Sequence, residues 1–541
     1  RLAESFWQLV LDWREHNQPM QGVNWKSGQE VGFRLMAWVF GLYAFLDSPA
    51  TTAQRVYALA EMVLISAGRL ERSLPYELSQ RNNHGISTAV GLFTVATLFP
   101  ELDHSGRSMR RARRLLEREV RRLVYDDGCF SQHSTNYHRV MLDDYTWAVR
   151  LAAVSGRPFS QALLRRIERA ANLLFQLQDP ATGRVPNFGA NDGALVLPLS
   201  SCEFGDYRPA LQAAHYAVTG RLLYEDGPWN EQLLWLCGAE ALSRDDQKQQ
   251  RTDVAASTGG YFGLRLDSDF AFIHAPPAFM HRPSHADLLH VDVWWRGLNI
   301  ALDPGSYSYA DPQAELLAGT RPHNTVSVDG RDQMVRVSRF LWVKWPHCCT
   351  RFHGSGEGGA VRCWEGEHDG YLRLDHPVLH RRAVVGLGAD HWVILDRLSS
   401  DGEHEYRLHW LLPDFQHRLD GERGELGLQT SRGPYVVRVG SPDGPAALSL
   451  ASADSHSLAG WFSPTYAVRT PALSLSATFA AMNLLIWSVL GPPLQDVEFA
   501  DNRLRLILPE GIAEIECGTG DGSIVEGIEF AGATSTFLAV S

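Results

Sequence analysis

The residues able to do chemistry in this 541-residue chain fall into three groups. The first is the run Asn82-Asn83-His84-Gly85. The second is Gln132-His133-Ser134-Thr135-Asn136-Tyr137-His138, which puts two imidazoles, a phenol and two amides within seven residues. The third is dispersed: His285 before Ala286-Asp287, Asp303 before Pro304-Gly305, and His323 before Asn324-Thr325. Two imidazoles and one carboxylate are a common ligand set for a divalent metal such as zinc. An Asn83 amide can hydrogen-bond a substrate carboxylate, with His84 as base or as a second neutralising group. The same run also reads as a helix-capping turn, because Asn is a favoured N-cap. In a helix, His133 and Tyr137 share a face, and a tyrosine with a lowered pKa moves protons in both directions. A buried tyrosine with a satisfied hydroxyl is the alternative. For His285, Asp303 and His323, spacing fixes no geometry; unrelated polar residues and a turn at Asp303-Pro304-Gly305 fit equally.

Two different architectures must position these groups. Residues 1–245 read as helical, with apolar residues three and four apart in Phe33–Leu46, Arg55–Leu70, Ile86–Leu98, Ser108–Val124, Leu142–Val154, Gln161–Leu177 and Pro209–Leu222. Similar helix lengths and short turns predict paired helices, as in an α/α toroid (an incomplete α/α barrel), with a simple bundle as the alternative. The polar run Ser243–Thr252 is the linker candidate. Residues 257–541 carry many short β-prone runs, among them Tyr261–Leu266, Val291–Leu302, Val384–Leu387, Trp392–Leu395 and Tyr406–Leu412. They predict a C-terminal antiparallel β-sandwich.

The formal net charge of −12 argues against a general nucleic-acid binder, yet a local basic cleft can still face a polyanion. The densest basic run, Arg107–Arg122, reads as a solvated helix face with Glu117 and Glu119 as partial partners. Seven scattered cysteines make no disulfide framework and no Cys-x-x-Cys pair, so they read as buried small hydrophobes. No apolar run is long enough to span a bilayer. The chain begins at Arg1 and not at Met, so the absence of a visible leader says little about compartment.

The three groups, with Asn24-Trp25 and Glu30 upstream, resemble the heparinase II/III-like family of polysaccharide lyases. The resemblance implies an α/α toroid packed on a β-sandwich, with the cleft between them. It implies Asn83 and His84 as the carboxylate-neutralising pair, Tyr137 as the catalytic tyrosine, and His285, Asp303 and His323 as a metal site, usually zinc and mainly structural. One departure stands out: Pro283 occupies the place of a further family histidine, and His281 is the candidate replacement. Gln132, His133, Arg139 and Asn187 are weaker expected substrate contacts; Arg336 and Arg339 fit either acidic substrate groups or structural ion pairs.

The implied reaction is β-elimination on an acidic, uronate-containing polysaccharide, leaving a 4,5-unsaturated end. Glycosaminoglycans such as hyaluronan, chondroitin or heparan sulfate are favoured over alginate or an exopolysaccharide such as gellan, and a periplasmic or secreted location is expected. A glycoside hydrolase using a carboxylate pair from Asp126, Asp127, Asp143, Asp144 and Asp192 is one rival. A polysaccharide-binding protein without activity is the other.

Overall fold

The computed structural model describes residues 1–102, 106–243, 249–267, 269–356, 359–454, 457–520, 522–530 and 533–536. Part of the expected linker, residues 244–248, lies outside the described residues. The helices before it are α1 (Leu2–His16), α2 (Gly28–Ala44), α3 (Ala53–Ser79), α4 (Asn83–Leu98), α5 (Arg107–Leu123), α6 (Thr135–Val154), α7 (Gln161–Gln176), α8 (Arg208–Thr219) and α9 (Asn230–Cys237). Helix α4 is buried along most of its length, as its near-continuous small and apolar residues require, and α6 is equally buried although it carries Arg139, Asp143 and Asp144. Helices α2, α3, α5 and α6 pack around α4, while α7, α8 and α9 continue from α6. The closest approach is between α2 and α4, where a Cβ on Gly91 would lie 2.9 Å from the Gly32 Cα. Helices α1 and α9 were not anticipated; α9 has only eight residues, too few for its apolar period to stand out.

From Val254 onward the chain is built of antiparallel sheets. A five-stranded meander (Val254–Ala256, Tyr261–Leu266, Asp269–His274, His290–Trp295, Leu298–Ala301) comes first. The expected single run Val291–Leu302 is therefore two strands, turned back at Arg296 (φ 50°) and Gly297 (φ 82°). A nine-stranded sheet lies at the centre of the region. Its strands Leu379–Leu387 and His391–Ser399 are buried on both faces, and the alternation of side chains explains how. Val384, Trp392 and Ile394 join the core shared with the first meander. Ala383, Val385, Val393 and Leu395 join a second core against the last sheet, which contains Leu504, Leu506 and Ile515. The expected two-layer sandwich thus carries an extra covering sheet on its outer face.

An aromatic layer joins the halves. Tyr125, Leu177 and Phe188 of the helical part pack on Tyr261, Phe270, Phe272 and Trp294. Beside it, the Asn187 side chain donates to the Ser463 carbonyl at 2.9 Å, and the Asn191 N–H donates to Ser306 Oγ at 3.0 Å. These bonds set the loop Asp303–Tyr309 against the loop Asn187–Gly193. A cleft of about 530 Å³ opens there.

Candidate active site and metal centre

Helix α4 begins where the chemistry does. Its N-cap is Asn82, whose Oδ1 accepts the His84 N–H at 3.1 Å. The run is thus a capping turn, and it also leaves Asn82 and His84 lining the cleft. Because Asn82 Oδ1 is used, its NH2 group remains as a donor. Gln132 is similar: its Oε1 accepts the Asn83 N–H at 3.2 Å, and its side chain lines the cleft. Two amide donors thus stand on one wall. Asn83 itself is fully buried behind them, with its NH2 donating to Gln29 Oε1. The resemblance implied Asn83 as the carboxylate-binding amide; in the structure Asn82, the capping residue, lines the cleft and Asn83 lies behind it.

His84 is partly exposed on the cleft, and its Nδ1 lies 3.2 Å from Glu77 Oε2. Glu77 is buried on α3 and also accepts the Gly28 N–H at 2.7 Å. Burial pushes the Glu77 carboxyl up, but His84 and the Gly28 N–H outweigh it and hold it below its ordinary value. A carboxylate on Nδ1 fixes the ring and leaves Nε2 as the proton acceptor. Sequence reading missed Glu77, which is one of many glutamates on a long helix.

Ser134 caps α6, its Oγ accepting the Tyr137 N–H at 3.1 Å. The Tyr137 hydroxyl reaches the cleft, donates to Asp192 Oδ2 at 2.9 Å and lies 3.1 Å from the Tyr309 hydroxyl. Burial, then Tyr309 and Asp192, push its pKa well above the ordinary value. The sequence reading asked for a lowered pKa if Tyr137 is to be a base; the structure supplies the opposite, a phenol held in its protonated form. Asp192 and Tyr309 were not singled out as partners, since loops 55 and 172 residues away carry them.

Three expected substrate contacts are placed elsewhere. His133 is buried, 3.3 Å from the His274 ring, and burial pushes its pKa down to about 3. Arg139 is buried, donates to the Asn136 side chain and the Phe204 carbonyl, and stacks on Tyr207. Asn187 lines a separate cavity together with Asp303. Each has a structural task that its polarity alone did not reveal. Arg336 and Arg339 line the cleft but both pair with Glu315, which supports the structural reading. His281 and Pro283 both line the cleft, and neither ring nitrogen of the buried His281 has a hydrogen-bond partner.

On the β side, His285, Asp303 and His323 come together, and Asp287 joins them; one ligand atom from each lies within 4.8 Å of all the others. All four are buried. Asp287 Oδ2 and Asp303 Oδ2 lack hydrogen-bond partners, an unfavourable state for buried carboxylates unless a cation sits between them. His323 Nδ1 donates to the Gly319 carbonyl at 2.7 Å, which leaves Nε2 for a ligand. His274 Nδ1 lies 3.2 Å from Asp287 Oδ1 and orients it from outside. The donor set fits a divalent metal. Beyond the cluster, His285 Nε2 lies 3.5 Å from Ser306 Oγ, and Ser306 holds the loop that carries Asp192.

The fold and the site define the class: a helical toroid joined to an antiparallel β-sandwich, with a His/Tyr/amide cleft between them and a buried His/Asp group below it. Two family models match the chain, heparinase II/III N-terminus over residues 3–197 and heparinase II/III-like, C-terminal, over residues 248–493. The chain belongs to the heparinase II/III family. Heparin-sulfate lyase of Bacteroides stercoris is 22% identical over 403 residues, covering 71% of this chain and 53% of that protein. The heparin-sulfate lyase of Pedobacter heparinus is 22% identical over 400 residues, 71% of this chain and 54% of that one. The matches therefore span about half the length of these relatives. A crystal structure of heparinase III shares the fold at a TM-score of 0.71 and 16% identity, over 99% of this chain and 79% of that one. A second heparinase III structure gives 0.67 at 18% identity, covering 99% and 80%.

Proposed function

We propose that this protein cleaves a uronate-containing polysaccharide by β-elimination, with His84 as base and Tyr137 as acid. The observation that carries the reading is the pairing of a carboxylate-oriented imidazole with a protonated phenol on one cleft. Removing the C5 proton of a uronate piles charge on an already anionic carboxylate. The NH2 groups of Asn82 and Gln132 would hydrogen-bond that carboxylate and stabilise the enolate-like transition state. His84 Nε2 takes the C5 proton. The C5 electron pair forms the C4–C5 double bond, the C4–O4 bond breaks, and the Tyr137 hydroxyl protonates O4. Asp192 and Tyr309 hold Tyr137 in place.

A glycosaminoglycan is the favoured substrate, because the relatives are heparin-sulfate lyases. The cluster of His285, Asp287, Asp303 and His323 would hold one zinc ion, which would neutralise the two buried carboxylates and brace the cleft floor. Among the described residues, no helix is long and apolar enough to cross a membrane, and the relatives are bacterial lyases; a periplasmic or secreted site of action fits a polymeric substrate.

The hydrolase reading finds little support in the carboxylates. Asp143 and Asp144 are buried within the helical core, Asp126 is paired with Arg166, and Asp127 accepts the Gly259 N–H; Asp192 alone of the five lines the cleft, where it accepts the Tyr137 hydroxyl. The test is near-ultraviolet absorbance during incubation with heparan sulfate, heparin, hyaluronan, chondroitin and alginate. Wild type should raise the absorbance on at least one polymer, and Tyr137→Phe should lose about 10²- to 10⁴-fold in rate. Retention of most activity in Tyr137→Phe would overturn the assignment of the acid. New reducing ends without absorbance would overturn elimination, and saturable binding without cleavage of any polymer would favour the inactive binding protein.

A further inference from the structure

Helix α5 carries eight arginines against two glutamates, in a chain whose formal net charge is −12. The sequence reading gave those glutamates to the arginines as partners. The structure bears this out for Glu119 and not for Glu117. Glu117 accepts the Ser160 N–H at 2.9 Å and the Ser160 hydroxyl at 2.6 Å, and so caps α7. Glu119 is buried and takes Arg118 at 2.6 Å, with Arg122 at 4.0 Å. Arg113 turns inward onto the Arg157 and Pro158 carbonyls. Arg111, Arg114 and Arg121 are left exposed on the outer face with no carboxylate partner among the described residues. Arg114 spends only its Nε, on the Arg110 carbonyl.

With Arg118, these residues recur at three- and four-residue spacing and form one stripe along the helix. At about 1.5 Å per residue, the stripe from Arg111 to Arg121 runs for about 15 Å. None of the four lines the cleft itself; the link to it is the next residue along, Arg122. Arg122 and Arg81 both bear electrostatically on His281, and Arg81 and His281 line the cleft. A guanidinium row is suited to carboxylate and sulfate groups that repeat along a chain, since each guanidinium meets an oxyanion through two parallel N–H donors.

We propose that Arg111, Arg114, Arg118 and Arg121 form a second binding surface for the acidic polysaccharide, guiding a long chain toward the cleft. This goes beyond the elimination reading and rests on it only for the choice of ligand. The apolar residues of α5, Leu115, Leu116, Val120 and Leu123, are all buried, so the stripe offers charge without an apolar anchor, which favours a polysaccharide over an anionic membrane.

The test uses the full chain in the Tyr137→Phe background, so that binding is read without cleavage. The probes are long-chain heparin, a heparin tetrasaccharide and phosphatidylserine vesicles. The triple variant Arg111→Ser/Arg114→Ser/Arg121→Ser should bind long heparin about tenfold more weakly at about 0.15 M salt, with a shallower salt dependence. Tetrasaccharide binding should be unchanged, and the Arg-to-Lys triple variant should recover at least half of the lost affinity. Circular dichroism and the melting temperature should match the parent. Unchanged binding of long heparin by a folded triple variant would overturn the proposal. So would vesicle binding that depends on these arginines without any polysaccharide binding. Because no turnover is read, failure of the elimination mechanism would show separately, in the absorbance assay.

Discussion

The cleft holds two groupings of histidine with carboxylate, and they are built in opposite ways. At His84 one imidazole meets one carboxylate; the ring is open to the cleft, and the buried Glu77 is satisfied by the Gly28 N–H and by Gln80. Around Asp303, two imidazoles and two carboxylates are all buried, and two carboxylate oxygens have no hydrogen-bond partner. The first arrangement leaves one nitrogen facing substrate, which suits a proton acceptor. The second leaves surplus negative charge in a closed space, which suits a cation. Residue type alone does not separate a base from a ligand; carboxylate count and exposure do.

The sharpest way to break this comparison is to remove one imidazole from each grouping. His84→Ala should cost about 10²- to 10⁴-fold in kcat while leaving metal content unchanged and lowering the melting temperature only slightly, through the loss of one partner of Glu77. His323→Ala should do the reverse. Elemental analysis should fall from one divalent ion per chain to near zero, the melting temperature should drop, and activity should fall by about 10- to 100-fold through the loosened floor. If His84→Ala lowers the melting temperature as much as His323→Ala does, the two groupings are both structural and the distinction fails. Full-length wild type that is folded, unstripped and free of metal would remove the cation from the second grouping.

Glu77→Gln sharpens the comparison from the other partner. The amide keeps the shape but no longer favours a proton on Nδ1, so kcat should fall by about 10- to 100-fold, less than removing the base. Stability offers a second readout. The Glu77 carboxyl sits below its ordinary value of 4.5 in the folded protein, so it is the charged form that stabilises. The stability advantage of wild type over Glu77→Gln should be full above about pH 4.5 and shrink as the pH falls through the lower folded value. Denaturant titrations of both proteins across that range would measure it; a difference that grows toward acid would contradict the assignment.

The helix-then-strand architecture was legible because periodicity is local: the change from 3.6 to 2 falls near residue 250, and Tyr261–Leu266 is a strand with the bounds its pattern predicts. The third covering sheet was not legible, because a strand buried on both faces loses its alternation, as Leu379–Leu387 does. In the site, His285, Asp303 and His323 were grouped through the family resemblance, since their spacing fixes no geometry, while Asp287 beside them needed the fold. That Asn82 and not Asn83 lines the cleft could not be read from the run, because capping geometry decides which of two neighbouring amides faces out. His133 and Arg139 were overread, since polarity within a rich run says nothing about burial.

Tyr309→Phe is the smallest expected change and bears on the acid. Its hydroxyl touches only the Tyr137 hydroxyl among the reacting groups, and after burial it is the next cause of the raised Tyr137 pKa. Without it, Tyr137 becomes somewhat more acidic, yet burial and Asp192 still hold the phenol protonated. If Tyr137 serves only as acid, a slightly stronger acid compensates for a slightly looser position, and kcat should stay within about threefold of wild type. If Tyr137 were instead the base, turnover would require the phenolate. Wild type would then gain rate as the pH rises toward the phenol range, and Tyr309→Phe would move that rise to lower pH and increase the neutral rate. The pH–rate profiles of the two proteins therefore separate an imidazole base from a phenolate base, with Asp192 left in place in both.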